Sequence, residues 1–203
     1  MNLKVSLLFF FTVLILCSCN ESDETSNREV PAEDTIPTDT IQENILNYSS
    51  AFQKLIKTNK GAFRGVRLGL NKEEVRKTET KYEDSQLQEE GISYLDYMVN
   101  YGSLEHADLR YRLNERANVE SIEINIYPNS KASQDSLFAE FYNYFTKVYG
   151  SSSQINADFF KWEQKKSDLL IQMQKRGTQK VHDINITFSY LTRESAGILY
   201  ESY

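Results

Sequence analysis

Apolar residues recur in this chain with two different periods, and the alternation between those periods divides it into elements. Residues 45–59 place apolar side chains at Ile45, Tyr48, Phe52, Leu55 and Ile56, which is helical spacing. Asn71 then offers an N-cap, Glu74 stands three residues on at the capping-box position, and Leu70 with Val75 can form a hydrophobic staple, so a helix is predicted to about residue 84. Three runs of period two follow. Residues 93–101 put Leu95, Tyr97, Val99 and Tyr101 on one face, residues 107–114 put Ala107, Leu109, Tyr111 and Leu113 there, and residues 119–127 add Ile122, Ile124 and Ile126. Pro128-Asn129-Ser130 breaks the pattern. A second helix is predicted over about 133–149, with Leu137, Phe138, Phe141, Phe145 and Val148 as its stripe and Gly150 as its stop. Strands return at 158–163, 168–174 and 181–190, where Phe160, Trp162, Leu169, Ile171, Met173, Ile184, Ile186 and Phe188 face inward.

The two halves share more than a pattern. Residues 108–126 and 168–186 align without a gap at an offset of 60, with Asp108/Asp168, Leu109/Leu169, Arg116/Arg176, Ile124/Ile184, Asn125/Asn185 and Ile126/Ile186 identical. The sequence therefore predicts an α+β fold built as a tandem (αβββ)₂ repeat, with repeat 1 at about 62–127 and repeat 2 at about 130–190. Two helices would cover one face of a mainly antiparallel six-stranded sheet and leave the other face wet.

The outer face follows from the same alternation. Its candidate protein-binding residues are Tyr94, Met98, Arg110, Arg112, Tyr127, Phe159, Lys161 and Leu170, aromatic and apolar groups among charges. The plain alternative is a solvated sheet that tolerates scattered apolar residues. Arg110 is predicted to stand opposite Glu123 as an ordinary cross-strand pair.

The N-terminus changes the picture of where the fold sits. Lys4, the apolar run from Leu7 to Leu16, and then Leu16-Cys17-Ser18-Cys19 resemble a bacterial lipoprotein signal. That resemblance implies a signal peptide over residues 1–18 and diacylglycerol on Cys19, which fits better than Cys17 because bulky Leu16 precedes Cys17. Residues 19–44 form the lipidated Cys and an acidic tether, with eight acids against one base, and are expected to be disordered. Residues 45–203 form the folded domain. Glu21, Asp23 and Glu24 resemble the surface-export signal of Bacteroidota lipoproteins, and Asp34-Thr35-Ile36 and Asp39-Thr40-Ile41 resemble O-glycosylation motifs at Thr35 and Thr40. The chain is thus expected in the cell envelope, anchored to the outer membrane by lipid, on its periplasmic or its surface side.

Composition narrows the function classes. From residue 45 on, acids and bases balance at 21 each, so no basic footprint for nucleic acid exists. The two histidines, His106 in a turn and His182 aligned with core Ile122, have no metal-ligand partners at suitable spacing. No nucleophile motif stands out and no cofactor or metal is expected. Glu73-Glu74 and Glu89-Glu90 read as solvated surface.

Gly65, Gly69, Asn71, Glu74 and Val75 carry a Gly-x-x-x-Gly-x-Asn-x-x-Glu-Val helix start. With the tandem helix-plus-hairpin units, this resembles the fold of β-lactamase-inhibitor proteins and of the small outer-membrane-protein-assembly lipoproteins (SmpA/OmlA type). The chain lacks the disulfides of the secreted inhibitors. The expected function is a non-enzymatic envelope lipoprotein that binds another protein through its exposed sheet face. An accessory role in outer-membrane protein assembly or envelope integrity, implied by the resemblance, and a small-ligand binder are the alternatives.

Overall fold

The computed structural model describes residues 44–178 and 181–191. Residues 1–43, on which the expected signal peptide, Cys19 and the expected tether with Thr35 and Thr40 fall, and residues 179–180 and 192–203 lie outside the described residues. A 3₁₀ turn (Ile45–Asn47) leads into α1 (Ser50–Ile56) and α2 (Lys72–Glu79). Four strands follow, β1 (Ser85–Glu90), β2 (Tyr94–Asn100), β3 (His106–Leu113) and β4 (Val119–Tyr127), then α3 (Lys131–Tyr149). The last four strands are β5 (Ser153–Asn156), β6 (Phe159–Gln164), β7 (Leu169–Gly177) and β8 (His182–Tyr190). All eight join one antiparallel sheet in the order β1-β2-β3-β4-β8-β7-β6-β5.

Among the described residues the sheet has eight strands where six are predicted. The two additions are its edges. β1 reads Ser-Gln-Leu-Gln-Glu-Glu and β5 reads Ser-Gln-Ile-Asn. Neither carries the apolar alternation that announces a strand, because an edge strand has no buried face to fill; backbone pairing to β2 and β6 holds them. Both edges contain a bulge, and β1 ends in two glutamates, which discourages further pairing.

The inner face is as the alternation predicts. Leu95, Tyr97, Val99, Tyr101, Leu109, Tyr111, Ile122, Ile124, Ile126, Trp162, Ile171, Met173, Ile184, Ile186 and Phe188 are all buried. They share one core with Phe52, Leu55 and Ile56 of α1, Val75 of α2 and the α3 stripe. Phe145 is its aromatic centre, with ring centroids of Trp162, Phe188, Phe141 and Tyr144 at 5.4, 5.7, 5.8 and 5.8 Å. The β4–β8 junction sets Asn125 opposite Asn185, flanked by Ile124 opposite Ile186 and Ile126 opposite Ile184.

The helix starts follow the sequence. Asn71 accepts from the Glu73 amide at 3.0 Å and Glu74 returns the capping box. Ser130 caps α3, and Gly150, at φ 84°, ends it. Asn71→Ala is expected to cost about 1 kcal/mol, read as a lower denaturant midpoint with an unchanged slope. α2 ends earlier than predicted, at Glu79, with Thr80 as its C-cap.

Burial of Glu79 and Arg64 is the least expected feature of the fold. Phe63 and Val66 exchange backbone hydrogen bonds across a turn whose central residues, Arg64 and Gly65, sit at φ 51° and 82°. That is the pattern of a type I′ turn, costly for a residue with a Cβ. The turn drives Arg64 inward, where it is fully buried beside the equally buried Glu79, Nε to Oε2 at 3.1 Å. Every arm of the guanidinium is used: Nη1 donates to the Lys54 carbonyl at 2.8 Å and Nη2 to Asp84 at 3.3 Å. Glu79 also accepts from Tyr111 at 2.5 Å and Ser85 at 2.7 Å. The Tyr82 ring lies 4.6 Å from the Arg64 guanidinium.

Candidate functional site

The outer sheet face carries two shallow depressions, one on each side of the central Asn125–Asn185 pair. The first, of about 350 Å³, is lined by β1–β4 and contains Glu89, Asp96, Asp108, Arg110 and Glu123. The second, of about 410 Å³, is lined by β5–β8 and contains Phe159, Gln172, Gln174, Arg176, Asn185 and Thr187.

The first depression is acidic, with four carboxylates against one guanidinium, and two of those carboxylates are held by arginines. Arg110 makes a two-pronged contact to Asp96, 2.7 Å from Nε and 2.5 Å from Nη2, so the Asp96 carboxylate holds it firmly charged. Its guanidinium lies 5.0 Å from the Tyr94 ring, and the Tyr94 hydroxyl donates to Glu89 at 2.6 Å. Arg110 does stand opposite Glu123 in the strand register, yet the ion pairs are arranged differently: Asp96 takes Arg110, and Glu123 pairs diagonally with Arg112. Opposite register and shortest reach need not coincide, because a long guanidinium side chain spans to a diagonal neighbour.

Seven of the eight predicted face residues, Tyr94, Met98, Arg110, Arg112, Tyr127, Phe159 and Lys161, are at least partly exposed there. Lys161 is on the same face but reaches sideways to Glu163 at 2.7 Å, with little of its side chain exposed. Leu170 is a correction: it is 1% exposed, and so offers no contact surface. It stands between Glu163 and Ser189 across the ladder and outside the main core. His106 is not in a turn but opens β3, its ring 5.0 Å from that of Tyr127. His182 opens β8, half-buried, opposite Gly177.

In the second half the register puts Arg176 opposite Asp183. Asp183 Oδ1 is buried without a hydrogen-bond partner among the described residues. Burial raises the Asp183 carboxyl above its ordinary 3.8, with the Arg176 charge acting against the shift. Burial also raises the nearby Tyr127 phenol, helped by Asp108 and Asp183. A raised acid binds protons in the folded state over a window where the unfolded chain has lost them, so stability falls as pH rises through that window. Asp183→Asn is therefore expected to stabilise the protein at neutral pH, with the gain fading as pH falls to 3.8. Urea midpoints of both proteins across that range check it.

Among the described residues no group of three or more His, Cys, Asp or Glu side chains is placed to hold a metal ion. No family model, curated protein or solved structure matches this chain.

Sequence reasoning missed the second depression as a unit. Gln172, Asn185 and Thr187 fall on the outer face by alternation, but Ile155 and Asn156 belong to a strand with no pattern. The signal that was available is compositional: amides recur at Gln172, Gln174, Asn125 and Asn185 on positions that all face one way.

Proposed function

We propose that the chain is a non-enzymatic, lipid-anchored envelope protein that binds another protein through the outer face of its sheet. The observation that carries this reading is the array on the first half of that face. An aromatic ring, Tyr94, lies against a guanidinium, Arg110, already fixed by Asp96, with Arg112 47% exposed at its side chain beside them. Tyr and Arg held rigidly in advance lose little entropy on binding and dominate many interfaces. The complementary partner presents a flat apolar contact to Tyr94 and Met98 and neutral hydrogen-bond acceptors to the part of Arg112 that Glu123 leaves exposed.

The anchor rests on Leu16-Cys17-Ser18-Cys19, and among the described residues no helix is long and apolar enough to cross a membrane. Cys19→Ala is expected to move the chain from the membrane to the soluble fraction. Retention in the membrane pellet after that change would remove the lipid from the account.

A second reading, an accessory of outer-membrane protein assembly on a duplicated scaffold, has its own support. The strand order mirrors itself about the β4–β8 junction, and Asn125 pairs with Asn185, its counterpart at the offset of 60. Gly65 and Gly69 both take positive φ in front of the Asn71–Glu74 capping box.

Proximity cross-linking on intact cells, with mass spectrometry, separates the two. Barrel-assembly components among the cross-links favour the accessory role, and another defined protein favours a dedicated binder. If Tyr94→Ala with Arg112→Ala leaves every cross-link unchanged, the outer face is the wrong surface.

A further inference from the structure

The two depressions differ in chemistry, and the difference identifies a ligand class for the second. The first is lined by four carboxylates against one guanidinium and so carries net negative charge. The second is lined almost entirely by neutral side chains that both donate and accept: Asn156, Gln172, Gln174, Asn185 and the Thr187 hydroxyl, beside the Phe159 ring. From this we infer that the depression formed by β5–β8 binds a neutral saccharide. The inference does not rest on the protein-partner reading.

Three observations converge. The first is electrostatic. Among the described residues Arg176 is the one charged member of the lining, and Asp183 stands opposite it in the ladder, close enough for the two charges to interact. The site thus carries little net charge, and an ionic ligand gains little there. A sugar hydroxyl is itself donor and acceptor at once, and amides match it without a charge to desolvate.

The second is preorganisation. Arg176 donates from Nε to Gln174 Oε1 and from Nη2 to Asn185 Oδ1, each at 3.0 Å. Asn185 Nδ2 donates to Asn125 Oδ1 at 2.9 Å. Asn156 Oδ1 accepts from the Asp158 amide at 2.9 Å. Those contacts fix the carbonyl end of the Gln174 and Asn156 amides, both of which line the depression. Their orientation is set before a ligand arrives, on strands rather than on a mobile loop.

The third is the aromatic wall. Phe159 pairs with Gln174 across β6 and β7, so a flat apolar ring adjoins a line of amides. A pyranose has that same two-sided character: a C–H face that packs on a ring and a rim of hydroxyls that hydrogen-bond. The volume, about 410 Å³, is within the range of small-ligand sites, roughly 300–1,000 Å³.

The test is nuclear magnetic resonance of the ¹⁵N-labelled full chain, following the side-chain amides of Asn156, Gln172, Gln174 and Asn185. The probes are maltotriose, cellotriose and triacetylchitotriose at millimolar concentration. At least one is expected to shift these amides saturably while amides of the first depression stay in place. Gln174→Ala should weaken that affinity about fivefold, the worth of one hydrogen bond, and Phe159→Ala should weaken it further. Arg112→Ala should leave it unchanged. Absence of a saturable shift with all three sugars overturns the inference, as do shifts that survive both variants undiminished. Gln174 is half-exposed on the surface, so its variant remains readable even if Phe159→Ala fails to fold. Sugar-dependent shifts without any protein cross-link would defeat the partner reading and leave this one standing.

Discussion

Glu79→Ala is expected to cost the fold about 3–5 kcal/mol, the range for removing one partner of a buried ion pair. The change deprives Arg64 Nε of its acceptor at 3.1 Å in a place with no solvent access. It also leaves the Tyr111 and Ser85 hydroxyls without the carboxylate they donate to. The Asp84 carboxylate, 3.3 Å from Nη2, and the Lys54 carbonyl remain, so the guanidinium keeps some compensation and the cost should not exceed that range. For a domain of this size the melting temperature should fall by about 10 °C. The measurement is urea unfolding, where the midpoint drops and the slope is retained. A double-mutant cycle sharpens it. Arg64→Ala combined with Glu79→Ala should cost clearly less than the two single losses added, because the second removal takes away a charge the first had stranded. An additive cycle, or a Glu79→Ala cost near zero, would mean that the pair is hydrated and does not hold the turn at residues 63–66 against the sheet.

That network also shows what the sequence hides. Along the chain, Arg64 and Glu79 look like two more surface charges among many, and nothing in residue type marks them as partners fifteen positions apart. One clue was present. In α2 the lone apolar position is Val75, and Glu79 falls four residues on, on the same helix face. A carboxylate where the stripe calls for a hydrophobe signals either an exposed helix end or a buried partner. Strands with a buried face were legible for the opposite reason. Leu95-x-Tyr97-x-Val99 and Ile122-x-Ile124-x-Ile126 state their own register, because a slip by one residue would turn every one of them to water. β1 and β5 state nothing, since their residues answer to backbone pairing alone. The outer face was legible as a set of positions but not as a geometry: alternation assigns Arg110 and Arg112 to it, while which carboxylate each one finds depends on side-chain reach. Burial of Leu170 on that face likewise lies beyond any periodicity, because alternation counts faces and not what a neighbour covers.

Phe145→Ala should be as damaging, at about 3–5 kcal/mol, and by a different cause. Phe145 is fully buried on the face of α3 that meets the sheet. Its ring touches the aromatic layers of both sides of the core, Trp162 on β6 and Phe188 on β8, as well as Phe141 and Tyr149 along its own helix. Neither Trp162 nor Phe188 can move in to fill the vacancy, because each is set by strand register between neighbours that are themselves buried. The cavity term therefore adds to the lost transfer free energy. Two comparisons make the expectation specific. Phe145→Leu keeps most of the volume and should cost roughly half as much. Tyr142→Ala, on the half-exposed side of α3 against Phe160, should cost less again. Trp162 is the single tryptophan of the chain and lies 5.4 Å from the Phe145 ring, so its fluorescence reports directly on this packing. In Phe145→Ala its emission should shift to the red in the native state, before any denaturant is added. A variant with wild-type emission and a loss below about 1 kcal/mol would show that the helix layer closes over the cavity, and that α3 is held by its flanks and not by its centre.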